Sequence, residues 1–242
     1  MALTDSLVAY YKLEDTSDAT GNGFTLTNNG TTPFNSAKIG NGADGGASNS
    51  GKYLSITNNL GIDGGTMSYS AWVNVTTQLT GANETQAICS LGSDNTDITY
   101  HLFYMTEASV KKIGFNRLRN GIADGYTYYP TTLTAGTWYH IVATYDGTNS
   151  RIYVNGVLQA TAAQSGNGSG TTTSRFFILN STQTTTMYFS GIVDELGVWN
   201  RALTSAEIVA LYGAGYGYAY PLSSSFTKRT TRPALFKPGN SK

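Results

Sequence analysis

The stretch WYHIVATYDGTNSRIYVNG, residues 138–156, constrains the fold more than any other part of the chain. Two runs rich in Tyr, Val, Ile and Thr alternate in polarity, and Asp146-Gly147 lies at the reversal between them. Period-two alternation sends every second side chain to one face of a strand, a pattern no helix can use. Asp, Asn and Gly accept the left-handed backbone of tight turns, so the segment is predicted to be a β-hairpin, with Asn155-Gly156 starting another reversal. Similar runs recur as SLVAYYKL (6–13), KYLSIT (52–57), MSYSAWVNV (67–75), AICSLG (87–92), ITYHLFYM (98–105) and KIGFNRL (112–118). They continue with GYTYY (125–129), RFFILN (175–180) and TMYFSGIVDELGVWN (186–200), and TLTN (25–28) is a further candidate. Many short strands joined by turns indicate an all-β, two-sheet antiparallel sandwich rather than βαβ units.

One helix is predicted in RALTSAEIVALYGAG, residues 201–215. Thr204 as N-cap and Glu207 three residues on form a capping box, Leu203 staples to Ile208, and Gly213 ends the helix. SGNGSGTTTS (165–174) reads as a flexible loop between strands. The single boundary falls near Pro221, dividing a domain of residues 1–220 from an extended basic arm, 221–242, that loses periodicity and gains Pro, Ser and cations.

Composition narrows the function. Charged residues are 12% of the chain, about half the usual share. Hydroxyls, amides and rings therefore dominate its surface chemistry. The chain has 15 basic and 15 acidic residues, but residues 222–242 hold Lys228, Arg229, Arg232, Lys237 and Lys242 and no acid, which leaves the body at −5. An acidic body argues against nucleic acid as the ligand. Cys89, the one cysteine, has no partner for a disulfide and lies between apolar neighbours, as a buried thiol would. No apolar run approaches the roughly 18 residues a membrane span needs. The first residues carry Asp5 and lack a basic-then-apolar leader, so synthesis in a cytoplasm without a signal peptide is expected.

WYHIVATYDGTNSRIYVNGVLQA followed by FSGIVDELGVWNRALTSAEIVALY resembles the laminin-G-like, concanavalin-A-like lectin family. LVAYYKLEDTSDATGNGFTLTNNG, GKYLSI and MSYSAWVNV resemble its first strands, so the likeness runs from about residue 6 to 213. The resemblance implies a jelly-roll sandwich that binds glycans or protein surfaces and is usually not an enzyme. In that family the loop DTSDATGNG lies near the strand carrying Val-Asp-Glu. Asp18, Asn22 and Asp194 would then clasp one structural Ca2+, an ion that takes oxygen ligands. The alternative is that Asp18 caps a turn and Asp194 bonds to loop amides.

Catalytic signatures are absent from the sequence. Asp194 and Glu195 are adjacent, which on a regular strand puts them on opposite faces, and no Glu-x-Asp-x-Glu run exists. His101 and His140 are the only imidazoles, and no Gly-x-Ser-x-Gly or Cys-His pairing marks a nucleophile. No catalytic residue is assigned. Four aromatic residues are candidates for ligand binding. Trp72 falls on the polar parity of its strand with Ser70 and Asn74, where it either stacks on a ligand or lies beneath another segment. Tyr126, Tyr128 and Tyr129 offer rings that stack on a pyranose or pack at a rim. In the arm, Phe226, Leu235 and Phe236 are candidate anchors and Lys228, Arg229, Arg232 and Lys237 candidate contacts to an acidic partner, against the reading of a solubilising tail.

The missing leader, Thr- and Gly-rich strands and basic arm resemble surface proteins of phage virions. The first expectation is accordingly a non-catalytic virion decoration or fibre protein that holds a cell-surface glycan and attaches to the assembly through its arm, as a homo-oligomer where copies are displayed symmetrically. A freestanding bacterial lectin or adhesin at the cell surface is the alternative, and a glycan hydrolase or lyase a third.

Overall fold

The computed structural model describes residues 1–47, 50–62, 65–92, 98–119, 122–164, 175–181 and 187–222. The strands are β1 (Leu7–Tyr11), β2 (Thr27–Asn29), β3 (Phe34–Ser36), β4 (Asn41–Asp44), β5 (Tyr53–Ile56), β6 (Met67–Val75), β7 (Thr85–Gly92) and β8 (Ile98–Glu107). They continue as β9 (Val110–Arg119), β10 (Ile122–Pro130), β11 (Trp138–Tyr145), β12 (Asn149–Val154), β13 (Val157–Ala163), β14 (Arg175–Ile178) and β15 (Gly191–Trp199), before the helix α1 (Ser205–Tyr212). One sheet runs β13-β12-β11-β6-β15-β4-β3 with β1 also on β15, and the other runs β10-β9-β8-β7-β14-β5-β2. Every pairing is antiparallel, as the alternating runs and short turns predicted.

The hairpin of residues 138–156 pairs Ile141 with Val154 through Tyr145 with Ser150. Asp146 Oδ1 accepts the Thr148 and Asn149 N–H groups at 2.9 and 2.7 Å, and Gly147 holds φ 97° to complete the reversal. Three strands were not apparent in the sequence: β3, β4 and β13. β4 needs Gly42 for contact rather than for pattern, since a Cβ there would lie 2.8 Å from the Val193 carbonyl oxygen. β13 is an edge strand with largely exposed side chains, so no buried face imposes an alternation on it.

Parity decides the core. Met67, Tyr69, Ala71, Val73 and Val75 of β6 meet Ile141, Ala143 and Tyr145 of β11 and the inward residues Ile88, Cys89, Tyr100, Leu102, Tyr104, Ile113, Phe115, Phe176 and Ile178 of the facing sheet. Each large apolar side chain so buried contributes about 1.5–3 kcal/mol. A second apolar cluster lies outside the eight-stranded sheet. There Tyr10, Val142, Tyr153 and Trp199 are covered by Leu203, Ile208, Leu211 and Leu222. The Thr204–Glu207 capping box is formed as predicted, and Gly213 closes the helix in the left-handed region. The carboxy-terminal segment up to Leu222 is therefore packed chain, and no described helix is long and apolar enough to cross a membrane.

Candidate functional site

Each sheet has one outer face, and the two differ. On the eight-stranded sheet, His140, Trp72 and Asp194 lie side by side in register on β11, β6 and β15. Trp72 is 3% exposed, with Tyr212 stacked 5.8 Å away, His140 at 5.3 Å and the Lys38 ammonium 4.5 Å from the ring centroid. Gly217 passes so near that a Cβ would come within 3.0 Å of the indole nitrogen. A ring so enclosed has no face for a ligand. Trp72 is covered by the helix and the turn after it, which is the second of its two sequence readings.

The carboxylates of this face depart from the expected geometry. β15 carries a register shift between Asp194 and Gly197, and Glu195 has φ 49°. Such a bulge inserts a residue and re-aims its side chain. Val193 and Leu196 point to the core, whereas Asp194 lines up with Trp72 and Glu195 Oε2 accepts from the Tyr10 hydroxyl at 2.6 Å. The two acids thus share a face instead of opposing one another, and both are buried. Burial pushes Asp194 up to about 8, against the Ile39 N–H that its Oδ2 accepts at 2.8 Å, and pushes Glu195 up to about 7. His140, bonded through Nε2 to Ser70 Oγ at 2.8 Å, is pushed by burial down to about 3.

Of the three side chains expected to share a Ca2+, Asp18 has its oxygens hydrogen-bonded, whereas Asp194 Oδ1 has no partner among the described residues. Asp18 accepts from the backbone N–H groups of Tyr10, Thr20 and Phe24 and from the Thr20 hydroxyl, at 2.8–3.4 Å. Asn22 donates through Nδ2 to the Val8 carbonyl at 2.8 Å. These bonds tie the loop to β1. Among the described residues no three His, Cys, Asp or Glu side chains form a group suited to a metal. Chelation by EDTA tests the ion: a drop of several degrees in the thermal melt is expected of a shared structural ion, and an unchanged melt would rule it out. The arm residues Phe226, Lys228, Arg229, Arg232, Leu235, Phe236 and Lys237 lie outside the described residues.

The outer face of the seven-stranded sheet is built differently. Tyr126 and Tyr128 share a parity on β10 and stack at 5.3 Å with planes 7° apart, whereas Tyr129 has the other parity and packs on the core. The expected trio therefore separates into an outward pair and an inward ring. Tyr126 is 42% exposed. The register places Lys112 beyond Tyr128, opposite Pro130, and its ammonium sits 3.9 Å over the Tyr128 ring while pairing with Glu107. Burial, with Tyr126 and Glu107 nearby, raises the Tyr128 hydroxyl to about 12. Phe103 meets Tyr128 edge-on at 6.3 Å and lies over Gly114, where a Cβ would stand 2.3 Å from the ring.

Next to this pad runs a polar row. Tyr126 pairs with Asn116, Asn116 with His101, and His101 with Ser90. Asn116 and His101 are 3% and 2% exposed, and among the described residues neither Asn116 Oδ1 nor His101 Nε2 has a hydrogen-bond partner. An orphaned buried polar atom costs on the order of 1–3 kcal/mol. Burial pushes the His101 imidazole down to about 3, so it is neutral at ordinary pH. The sequence reading missed Asn116, Phe103 and Lys112 as parts of this face. Parity was the available signal: ITYHLFYM and KIGFNRL place His101, Phe103, Gly114 and Asn116 opposite to Leu102, Tyr104, Ile113 and Phe115.

Residues 44–209 match the profile of the concanavalin A-like lectin/glucanases superfamily. No curated protein matches the sequence. Among solved structures, domain 4 of the GH43 extracellular arabinanase AbnA from Geobacillus stearothermophilus, in complex with arabinotriose, is similar at 20% identity and TM-score 0.63, covering 85% of this chain and 97% of that one. The binding domain of Paraclostridial Mosquitocidal Protein 1 is similar at 15% identity and TM-score 0.66, over 87% of this chain and 52% of that one. The binding domain of botulinum neurotoxin DC, in complex with rat synaptotagmin II, is similar at 14% identity and TM-score 0.68, over 88% and 52%. The chain thus spans about half the length of the toxin domains, and at these identities the likeness is one of fold.

Proposed function

We propose, from the premise that this chain belongs to the concanavalin A-like lectin/glucanases superfamily, that it is a non-catalytic binding module holding a glycan on the outer face of its seven-stranded sheet. The observation that carries the reading is Tyr126, an exposed ring stacked on Tyr128 and thereby held still. A fixed aromatic plane covers the apolar face of a pyranose at little entropic cost. The similar arabinanase domain was solved with arabinotriose, which is consistent with sugar as the ligand class. A holding rather than hydrolytic role is supported by the acids on the other face. Glycoside hydrolysis needs two carboxyl groups flanking the scissile bond, and Asp194 and Glu195 are buried against Ile39 and Tyr10. Virion display and attachment through the arm form no part of this proposal, since the arm's anchor residues lie outside the described residues.

A glycan array followed by calorimetry on the strongest binder tests the reading. Tyr126→Ala is expected to weaken binding about tenfold, the effect of roughly 1.4 kcal/mol of lost stacking, with the melting temperature unchanged. Equal affinity of the variant and the parent would remove the platform from this face.

A further inference from the structure

We infer that Asn116 and His101 form a polar subsite that reads the hydroxyl groups of a neutral glycan seated on Tyr126. The inference rests on the glycan-holding reading of this face and adds the residues that would make it selective. Two features carry it. First, the orphaned atoms are neighbours: Asn116 faces His101 across β8 and β9, and Tyr126 faces Asn116 across β9 and β10. Two strand spacings of about 4.8 Å give the row a length close to 10 Å, the reach of a disaccharide. Second, both atoms lack partners among the described residues although their side chains are more than nine-tenths buried. Retained polar groups without partners call for an explanation, and a ligand that brings the missing partners supplies one.

The chemistry of the row selects the ligand class. Asn116 Oδ1 accepts, so it takes a hydroxyl donor. His101 Nε2 donates or accepts according to its tautomer, and a hydroxyl satisfies either role. Beyond His101 the row ends at Ser90, whose hydroxyl donates to the Asn180 carbonyl at 3.3 Å, and Asn180 Oδ1 is a third orphan. The row contains no ionised side chain, and the nearby Lys112 is held by Glu107 and the Tyr128 ring. An uncharged, hydroxyl-rich chain fits this lining, and a carboxylated sugar would find no counter-charge along it. Both orphaned atoms are shielded from solvent at rest. Tyr126 is the exposed member of the row and marks the end at which a glycan meets it.

Calorimetry on the full chain with neutral gluco-, galacto-, manno-, xylo- and arabino-configured trisaccharides tests the subsite, taking the strongest binder forward with its monodeoxy analogues. Asn116→Leu and His101→Phe are each expected to weaken binding about tenfold while the melting temperature holds or rises, because an apolar replacement removes an unsatisfied group. The parent chain is expected to lose about as much affinity for at least one monodeoxy analogue, a measurement that needs no substitution. Unchanged affinity in both variants, or equal binding of every monodeoxy analogue, would overturn the subsite while the Tyr126 result keeps the platform. Failure of the parent chain to bind any trisaccharide, or any glycan on the array, would remove the platform itself and the subsite with it.

Discussion

Arg201→Ala is expected to lower the melting temperature by about 10 °C, which is the larger of the two stability effects the fold implies. Arg201 grips Glu207 with both arms, NH1 to Oε2 at 2.8 Å and NH2 to Oε1 at 2.7 Å, in a setting where both side chains are nearly buried. Its remaining donors reach the carbonyls of Asp5 and Ala2, at 2.8 and 3.0 Å. Glu207 is also the acid of the capping box, accepting from the Thr204 N–H at 2.8 Å. One guanidinium therefore joins the amino-terminal segment, β15 and the start of α1. Removing it strands a buried carboxylate, an effect of roughly 3–5 kcal/mol, and a chain of this length loses about 2–4 °C per kcal/mol. Glu207→Gln, which keeps a partner for Thr204, should lose less, and adding Glu207→Gln to Arg201→Ala should recover part of the loss. Because α1 brings Tyr212 onto Trp72, loosening it should also red-shift tryptophan emission. A drop below about 3 °C with unchanged emission would mean that the pair is dispensable.

The sequence made the strands, the sandwich and the capped helix legible because each depends on local signals: alternation, turn chemistry and the Thr204–Glu207 spacing. The parity argument also placed Trp72 correctly on the polar side of β6, but no local rule could say that Tyr212 and Gly217 return to cover it. Asp194 and Glu195 show the opposite failure. Adjacency implies opposite faces only on a regular strand, and the bulge with its positive φ at Glu195 is invisible in VDELG. In the candidate site, Tyr126 and Tyr128 were legible as rings, whereas their alignment with Asn116 and His101 is set by the pairing of three strands. Register between strands is a non-local property, and that is where single-sequence reading stopped.

Thermal stability is expected to hold a plateau from about pH 4.5 to 6.5 and then fall by about 5–8 °C by pH 8.5. The fold raises Asp194 to about 8 and Glu195 to about 7 through burial, while in the unfolded chain they titrate near 3.9 and 4.3. Above pH 4 the unfolded chain therefore binds fewer protons than the fold, and stability declines as pH rises until the folded values are passed. The imidazoles act in the other sense. His101 and His140 are held at about 3 by burial against about 6.5 when unfolded, so their contribution grows as pH rises to 6.5. Two groups of each sign nearly cancel below pH 6.5. Above it only the acids still titrate, at about 1.4 kcal/mol per pH unit for each group still protonated in the fold. Asp194 alone then removes roughly 2 kcal/mol by pH 8. Tyr218 and Tyr220 pack against Tyr10, the hydroxyl partner of Glu195. Asp194→Asn should flatten the alkaline limb, and Glu195→Gln should trim only its first part. Melting curves at half-unit intervals from pH 4 to 9 check the sign directly. A melting temperature still rising between pH 7 and 8.5 would show that both carboxylates are ionised in the fold.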